Sequence, residues 1–158
     1  MSAETIDNYL SLMQKAHLIY RCDRYDIRGK ERLRTNGKYY VVDPGLRNRV
    51  LGLRAGNRGH LTENMVFLEL IRRGYDVSVG TLPNAEIDFV VQHGRSISYV
   101  QVSETVLDPT TLERELTPFA KLSDGFPRVL ITKDRTDYGR DGVRHVNLYD
   151  FLLGAPLP

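Results

Sequence analysis

Between Tyr75 and Val102 three strand-like runs follow one another with little chain between them. They are Tyr75–Val79, Glu86–Gln92 and Ser96–Val102, and His93-Gly94-Arg95 joins the second to the third. Linkers this short favour hairpins, because a parallel pair needs a crossover of a dozen or more residues. The sheet must then be covered. Upstream, the spacing predicts a helix over Thr62–Arg73, capped by Thr62 and stopped by Gly74. Met65, Val66, Phe67, Leu68, Leu70 and Ile71 spread over more than one of its faces, so it should be largely buried. Downstream, Asp108-Pro109 supplies a cap and a first-turn proline for a helix running to about Leu122. Arg128–Thr132 and Val143–Asn147 read as further strands, and Tyr149–Leu153 as a short closing helix. Helix, three strands, helix, strand is a mixed α/β sandwich with a hairpin-built sheet.

The front of the chain reads differently. Thr5–Ala16 is an amphipathic helix with Ile6, Tyr9, Leu10 and Met13 on one face. Ser2 or Thr5 can cap it, and Glu4 or Asp7 suits the positive end of its dipole. Leu18–Tyr25 and Lys38–Val42 form a predicted β-hairpin, with a charged loop holding Arg28, Gly29, Lys30 and Asn36-Gly37. A helix followed by a basic hairpin is the back half of a winged helix. Asp43-Pro44-Gly45 reads as a turn and a boundary, which divides the chain into residues 1–43 and 44–158. The stretch from there to His60 is basic, Gly-rich and expected to be irregular.

The formal net charge of +2 conceals an asymmetry. Residues 1–60 carry 12 Lys and Arg against 6 Asp and Glu, and residues 61–158 carry 10 against 14. The basic part can meet nucleic-acid phosphates, meet an acidic protein surface, or stand simply as a solvated face. No run approaches 18 apolar residues, which argues against a membrane span. Cys22 is the sole cysteine, so no internal disulfide can form, as suits a reducing cytoplasm. His17, His60, His93 and His145 lack the paired spacing of a zinc site.

One acidic constellation carries possible chemistry. Glu63 opens the predicted helix, and Glu86 and Asp88 share one face of a strand while Ile87 and Phe89 share the other. Gln101 and Ser103 point one way at the end of the next strand, so Asp88 and Gln101 can converge near Glu63. Metal-dependent phosphodiester cleavage uses such a set, with oxygens around Mg²⁺ and a lysine beside the attacking water. Here a neutral Gln101 takes the place of an acid, and Ser103 brings no positive charge to the developing phosphate charge. Glu104 should point to the opposite face. The plainer alternative is that Glu63 caps its helix and Asp88 is a satisfied polar residue.

Several stretches together resemble a known family: Thr5-Ile6-Asp7-Asn8-Tyr9-Leu10, Lys38 through Arg47, Glu63-Asn64, Arg73-Gly74-Tyr75, Glu86-Ile87-Asp88-Phe89, Gln101-Val102-Ser103 and Ile131-Thr132-Lys133-Asp134. The family is the C-terminal domain of unknown function (the DUF 4143 family) of prokaryotic AAA-type ATPases. The resemblance implies a restriction-endonuclease-like, PD-(D/E)XK core after a winged-helix remnant, and an ATPase domain upstream as partner. It matches Glu63 to the helix acid, Asp88 to the strand aspartate, Gln101 to the second acid and Ser103 to the lysine. The last two depart from the pattern, which leaves Mg²⁺ binding and cleavage open; Lys121 is a candidate replacement lysine. No Gly-x-x-x-x-Gly-Lys-Ser/Thr occurs in the chain.

These readings lead to the expectation of a cytoplasmic regulatory or binding module of an ATPase, with DNA as a candidate partner; the degenerate motif leans against enzymatic activity of this chain and leaves it open. Arg21, Arg24, Arg28, Lys30, Arg32 and Arg34 are the expected phosphate contacts. The tyrosines interleaved with them (Tyr20, Tyr25, Tyr39, Tyr40) can stack on bases or simply pack the hairpin. An active nuclease with a migrated lysine, and a protein-interaction domain, are the competing expectations.

Overall fold

A computed structural model describes residues 2–52 and 58–157, with the side chains of 34–36, 51 and 58 left out. The chain runs α1 (Ala3–Lys15), β1 (Ile19–Asp26), β2 (Glu31–Val41), α2 (Pro44–Leu51), α3 (Arg58–Arg72), β3 (Asp76–Leu82), β4 (Ala85–His93) and β5 (Ser96–Val102). It continues through α4 (Pro109–Ala120), β6 (Arg128–Thr132), β7 (Val143–Asn147) and α5 (Leu148–Leu152). Among the described residues a seven-stranded sheet has the order β2-β1-β3-β4-β5-β6-β7. Strands β3, β4 and β5 form the expected antiparallel meander, and β6 lies parallel to β5 after the α4 crossover. The basic hairpin adds to the same sheet, because β1 pairs in parallel with β3 over Arg24–Asp26 and Val79–Thr81.

Two apolar clusters sit on opposite faces of this sheet. One packs Val66, Phe67 and Leu70 of α3, with Leu148 and Phe151, against Val79, Phe89 and Val100. The other packs Leu112, Leu116 and Phe119 of α4 against Ile87, Val90, Tyr99 and Leu130. Burying each such side chain contributes roughly 1.5–3 kcal/mol, so the two layers together dominate the stability. By contrast, α1 is capped by Ser2 and buries none of its residues. Its apolar face stays open, with Tyr9 59% and Leu12 60% exposed.

Four sequence expectations need correction. The charged loop of the hairpin is mostly strand: the turn is only residues 27–30, and Arg32 and Leu33 pair with Tyr25 and Arg24. Asn36-Gly37, which looks like a turn, lies in β2 beside an irregularity, where Cys22 pairs with Lys38 but Arg24 with Leu33. A Cβ at Gly37 would come within 2.3 Å of the Cys22 carbonyl oxygen, so the glycine answers a close approach of strands rather than a reversal.

The stretch after Asp43 is not irregular throughout. Asp43 accepts hydrogen bonds from Gly45 and Leu46 and Pro44 occupies the first turn of α2, the same device that opens α4. Residues 53–57 of that stretch lie outside the described residues.

Helix α3 begins at Arg58, so Thr62 is a buried helical residue rather than its cap, and Glu63 sits beyond the first turn. Finally, Ile87 and Phe89 do not share a face. Strand β4 has one residue more than β3 between the pairs Gly80–Ile87 and Ser78–Val90, and this bulge sends Ile87 to the α4 side and Phe89 to the α3 side.

Candidate functional site: an acid cluster around Lys38

The β4 bulge lies where the β4–β5 ladder ends. The last regular pair before the site is Phe89–Val100. Beyond it side chains replace backbone pairing: the Asp88 N–H donates to Gln101 Oε1 at 2.6 Å, and the Val102 N–H donates to Asp88 Oδ2 at 2.9 Å. Gln101 Nε2 also donates to Glu115 Oε2 of α4 at 3.3 Å. Both ends of the Gln101 amide are therefore spent on holding the strand ends and α4 together. Ser103 donates to the Thr105 carbonyl at 3.2 Å, and its own N–H is tied to Ile131.

Glu63 is delivered from the other side. Asn64 clamps α3 to the edge of β2 through two bonds of 2.9 Å with the Val41 N–H and carbonyl. Tyr40 stacks on Phe67 with ring centroids 4.1 Å apart, which aims its hydroxyl at Glu63 Oε1, 2.6 Å away. Alternate residues of a strand share a face, so Lys38 points where Tyr40 points.

Its ammonium lies 3.0 Å from Glu63, 2.8 Å from Glu86 and 3.8 Å from Asp88. One ammonium thus touches all three carboxylates, and Arg24 meets one of them, Glu86, at 2.6 Å.

The electrostatics follow from this arrangement. Burial opposes the Lys38 charge, but Glu63, Glu86 and Asp88 outweigh it and hold the ammonium above the ordinary lysine range. Burial also works against Glu86, yet hydrogen bonds from Lys38 and Arg24 keep it below the usual glutamate value. Asp88 goes the other way. Burial first and the Glu63 charge second push it up to about 7, against the pull of the Val102 N–H and Lys38. Burial and then Glu63 raise the Tyr40 hydroxyl as well, so Tyr40 stays a neutral donor.

Glu63, Asp88, Val102, Ser103 and Glu115 thus meet at one cavity of about 290 Å³, as the sequence suggested for Glu63 and Asp88. Its carboxylates Glu63, Asp88, Glu104 and Glu115 outnumber its Arg114, which is itself paired to Glu115 at 3.0 Å. Glu104 also lies on this rim, bonded to Lys133 at 3.1 Å. Lys38 does not line this cavity; it reaches Glu63 and Asp88 from a neighbouring one that it shares with Tyr40, Arg47 and Asn64. Among the described residues no group of three or more His, Cys, Asp or Glu is arranged to hold a metal ion. Lys121 is elsewhere: it donates to the Asn84 carbonyl at 3.0 Å and lines a different cavity.

Five of the six basic residues of the hairpin separate into two kinds. Arg21 pairs with Asp23, Arg24 with Glu86 at 2.6 Å, and Arg32 with Asp76. Arg28 and Lys30 sit exposed in the β1–β2 turn. The side chain of Arg34 lies outside those described. Lys38, Tyr40, Glu86 and Glu115 were not singled out from the sequence as site residues. The i, i+2 placement of Lys38 and Tyr40 was a readable signal only once the partner across the fold was known.

The family model described as a domain of unknown function (DUF8612) matches residues 1–57, which hold α1, the hairpin and α2. An uncharacterized protein of Haemophilus influenzae is 40% identical over 155 residues, covering 96% of this chain and 38% of its own length. An uncharacterized protein of Methanocaldococcus jannaschii is 34% identical over 125 residues, covering 77% of this chain and 27% of its own. The chain thus spans well under half the length of these curated relatives. No solved structure matches it. Among the described residues no helix is long and apolar enough to cross a membrane.

Proposed function

We propose that this chain is a nucleic-acid-binding module with a catalytically degenerate nuclease-like core, carried within a longer ATPase of the AAA type. The arrangement of α3, the β3–β5 meander, α4 and parallel β6 agrees with the restriction-endonuclease-like, PD-(D/E)XK core that the resemblance implies. The observation that carries the reading is Lys38 held among Glu63, Glu86 and Asp88, which engages both acids that the resemblance matches to a metal site. Gln101 and Ser103 agree with it, since both are engaged in structural hydrogen bonds. The greater length of the relatives and the open apolar face of α1 support a module within a larger protein.

The test is fluorescence anisotropy with duplex and single-stranded DNA at two salt concentrations. Phosphate-driven binding weakens steeply as salt rises. Binding that ignores salt, or none at all, would overturn the nucleic-acid reading in favour of a protein-interaction module.

A second reading has one observation behind it. Lys38 lies 3.8 Å from Asp88, so it is a better migrated catalytic lysine than Lys121. In an active, Mg²⁺-dependent nuclease the ion would have to reach Glu63 and Asp88 from the cavity they share with Ser103 and Glu115, which Lys38 does not line. Calorimetry showing no divalent-cation binding at millimolar concentration would eliminate this reading.

A further inference from the structure

At the end of the sheet reached by the β1–β2 and β3–β4 turns lies a cavity of about 410 Å³. Arg28 and Lys30 reach it from the β1–β2 turn, and Lys121 from the end of α4. Its floor is apolar, made by the buried Ile27, Leu82 and Leu122. The one carboxylate on its wall, Asp124, is already engaged by the Tyr99 hydroxyl at 2.7 Å and the Phe126 N–H at 3.2 Å. The backbone carbonyls of Leu122 and Asp124, which would otherwise repel an anion at this helix end, are covered by the Arg128 guanidinium.

The three cations differ from the strand arginines in a way that bears on binding. Arg21, Arg24 and Arg32 each face a carboxylate, and recruiting them to a phosphate would break an existing ion pair. Among the described residues Arg28, Lys30 and Lys121 have no carboxylate partner; Lys121 reaches only the Asn84 carbonyl. The acid cavity around Asp88, in contrast, repels phosphate because its carboxylates outnumber its cations.

We propose that this basic groove is a phosphate subsite that takes the backbone of a single-stranded nucleic acid, with the apolar floor receiving a sugar or base. This rests on the nucleic-acid reading above and moves its contact point from the strand arginines to the turn. Single-strand binding combines a positively charged groove that tracks the backbone with side chains on which bases rest, most often aromatic; here the groove supplies the charge and aliphatic Ile27, Leu82 and Leu122 the floor.

The experiment is anisotropy of a labelled single-stranded oligonucleotide at several salt concentrations, using the full chain. Lys121→Gln, and Arg28→Gln combined with Lys30→Gln, are compared with Arg95→Gln in the exposed β4–β5 turn at the far end of β4. Each groove cation removed should weaken binding roughly fivefold and lower the log–log salt slope by about one, while Arg95→Gln stays within about twofold. Thermal melts check that the variants fold; these side chains are exposed, so little change is expected. Groove variants that bind like the wild type would overturn the subsite while leaving nucleic-acid binding intact. Should the wild type bind no oligonucleotide, amide shifts at Arg28, Lys30 and Lys121 on titrating inorganic phosphate would uphold a phosphate site and remove nucleic acid as its ligand. Absence of those shifts as well would overturn the subsite outright.

Discussion

The acid cavity and the basic groove are built from the same materials, a few charged side chains at the ends of sheet strands, yet they stand in opposite electrical states. In the first, Lys38 and Tyr40 satisfy Glu63 from one strand, the Val102 N–H donates to the Asp88 carboxylate from another, and Arg114 pairs with Glu115. In the second, Arg28, Lys30 and Lys121 surround a cavity whose one carboxylate among the described residues, Asp124, is bonded to the Tyr99 hydroxyl. A charge cluster that has closed on itself contributes to the fold. One left with unmatched charge is available to a ligand. Counting charges along the sequence would rank the acid cluster first as a site; counting their partners reverses the order.

The sharpest way to break this comparison is to remove the internal cation. Lys38→Met leaves Glu63, Glu86 and Asp88 facing one another with only 28% of the lysine side chain having been exposed. Removing one member of such a buried set should cost about 2–4 kcal/mol. On a chain of this size that lowers Tm by roughly 5–15 °C at pH 8. An unchanged melting temperature would mean that Lys38 is not what holds the acids together.

Asp88→Asn probes the same cluster with the opposite sign. The folded-state value of Asp88 lies near 7, above its ordinary 3.8. The stability tied to its protonated form is therefore complete below about pH 4 and is lost as pH rises through 7. Asparagine keeps that form at every pH and can still accept from the Val102 N–H. We expect the variant to melt higher than wild type at pH 8, by about 1–2 kcal/mol of stability, and alike at pH 4. A variant less stable at pH 8 would show that the Lys38 attraction outweighs burial and Glu63.

A smaller effect sharpens the other side of the comparison. Arg32 is exposed and paired with Asp76, so Arg32→Gln should alter stability by less than about 0.5 kcal/mol. Its DNA affinity should stay within about twofold of wild type, unlike that of the groove variants. A loss as large as theirs would return the strand arginines to the binding surface.

The order of elements from α3 onward is readable because each has an apolar period and a local start or stop signal, such as Gly74 after α3 or Asp108-Pro109 before α4. The convergence of Glu63 and Asp88 followed from placing one on a helix and the other on the strand beneath it. What could not be read is the sum of partners. Lys38 meets acids 25 to 50 positions away, on a helix and a strand that come together only in the folded sheet. The bulge in β4 is equally silent, since Ile87-Asp88-Phe89 alternates like any strand until β3 is laid beside it. Gly37 misled for a related reason: a glycine after asparagine signals a turn, whereas here it makes room for a carbonyl on the neighbouring strand.

The proposed reading is that Lys38 holds Glu63 and Asp88 in a fold-stabilising cluster that cleaves no nucleic acid. Its most direct test is incubation of the chain with labelled duplex and single-stranded DNA in Mg²⁺ or Mn²⁺, with Asp88→Ala in parallel and the products run on a denaturing gel. Intact DNA in every lane is the predicted result; cleavage by the wild type that disappears in Asp88→Ala would contradict it.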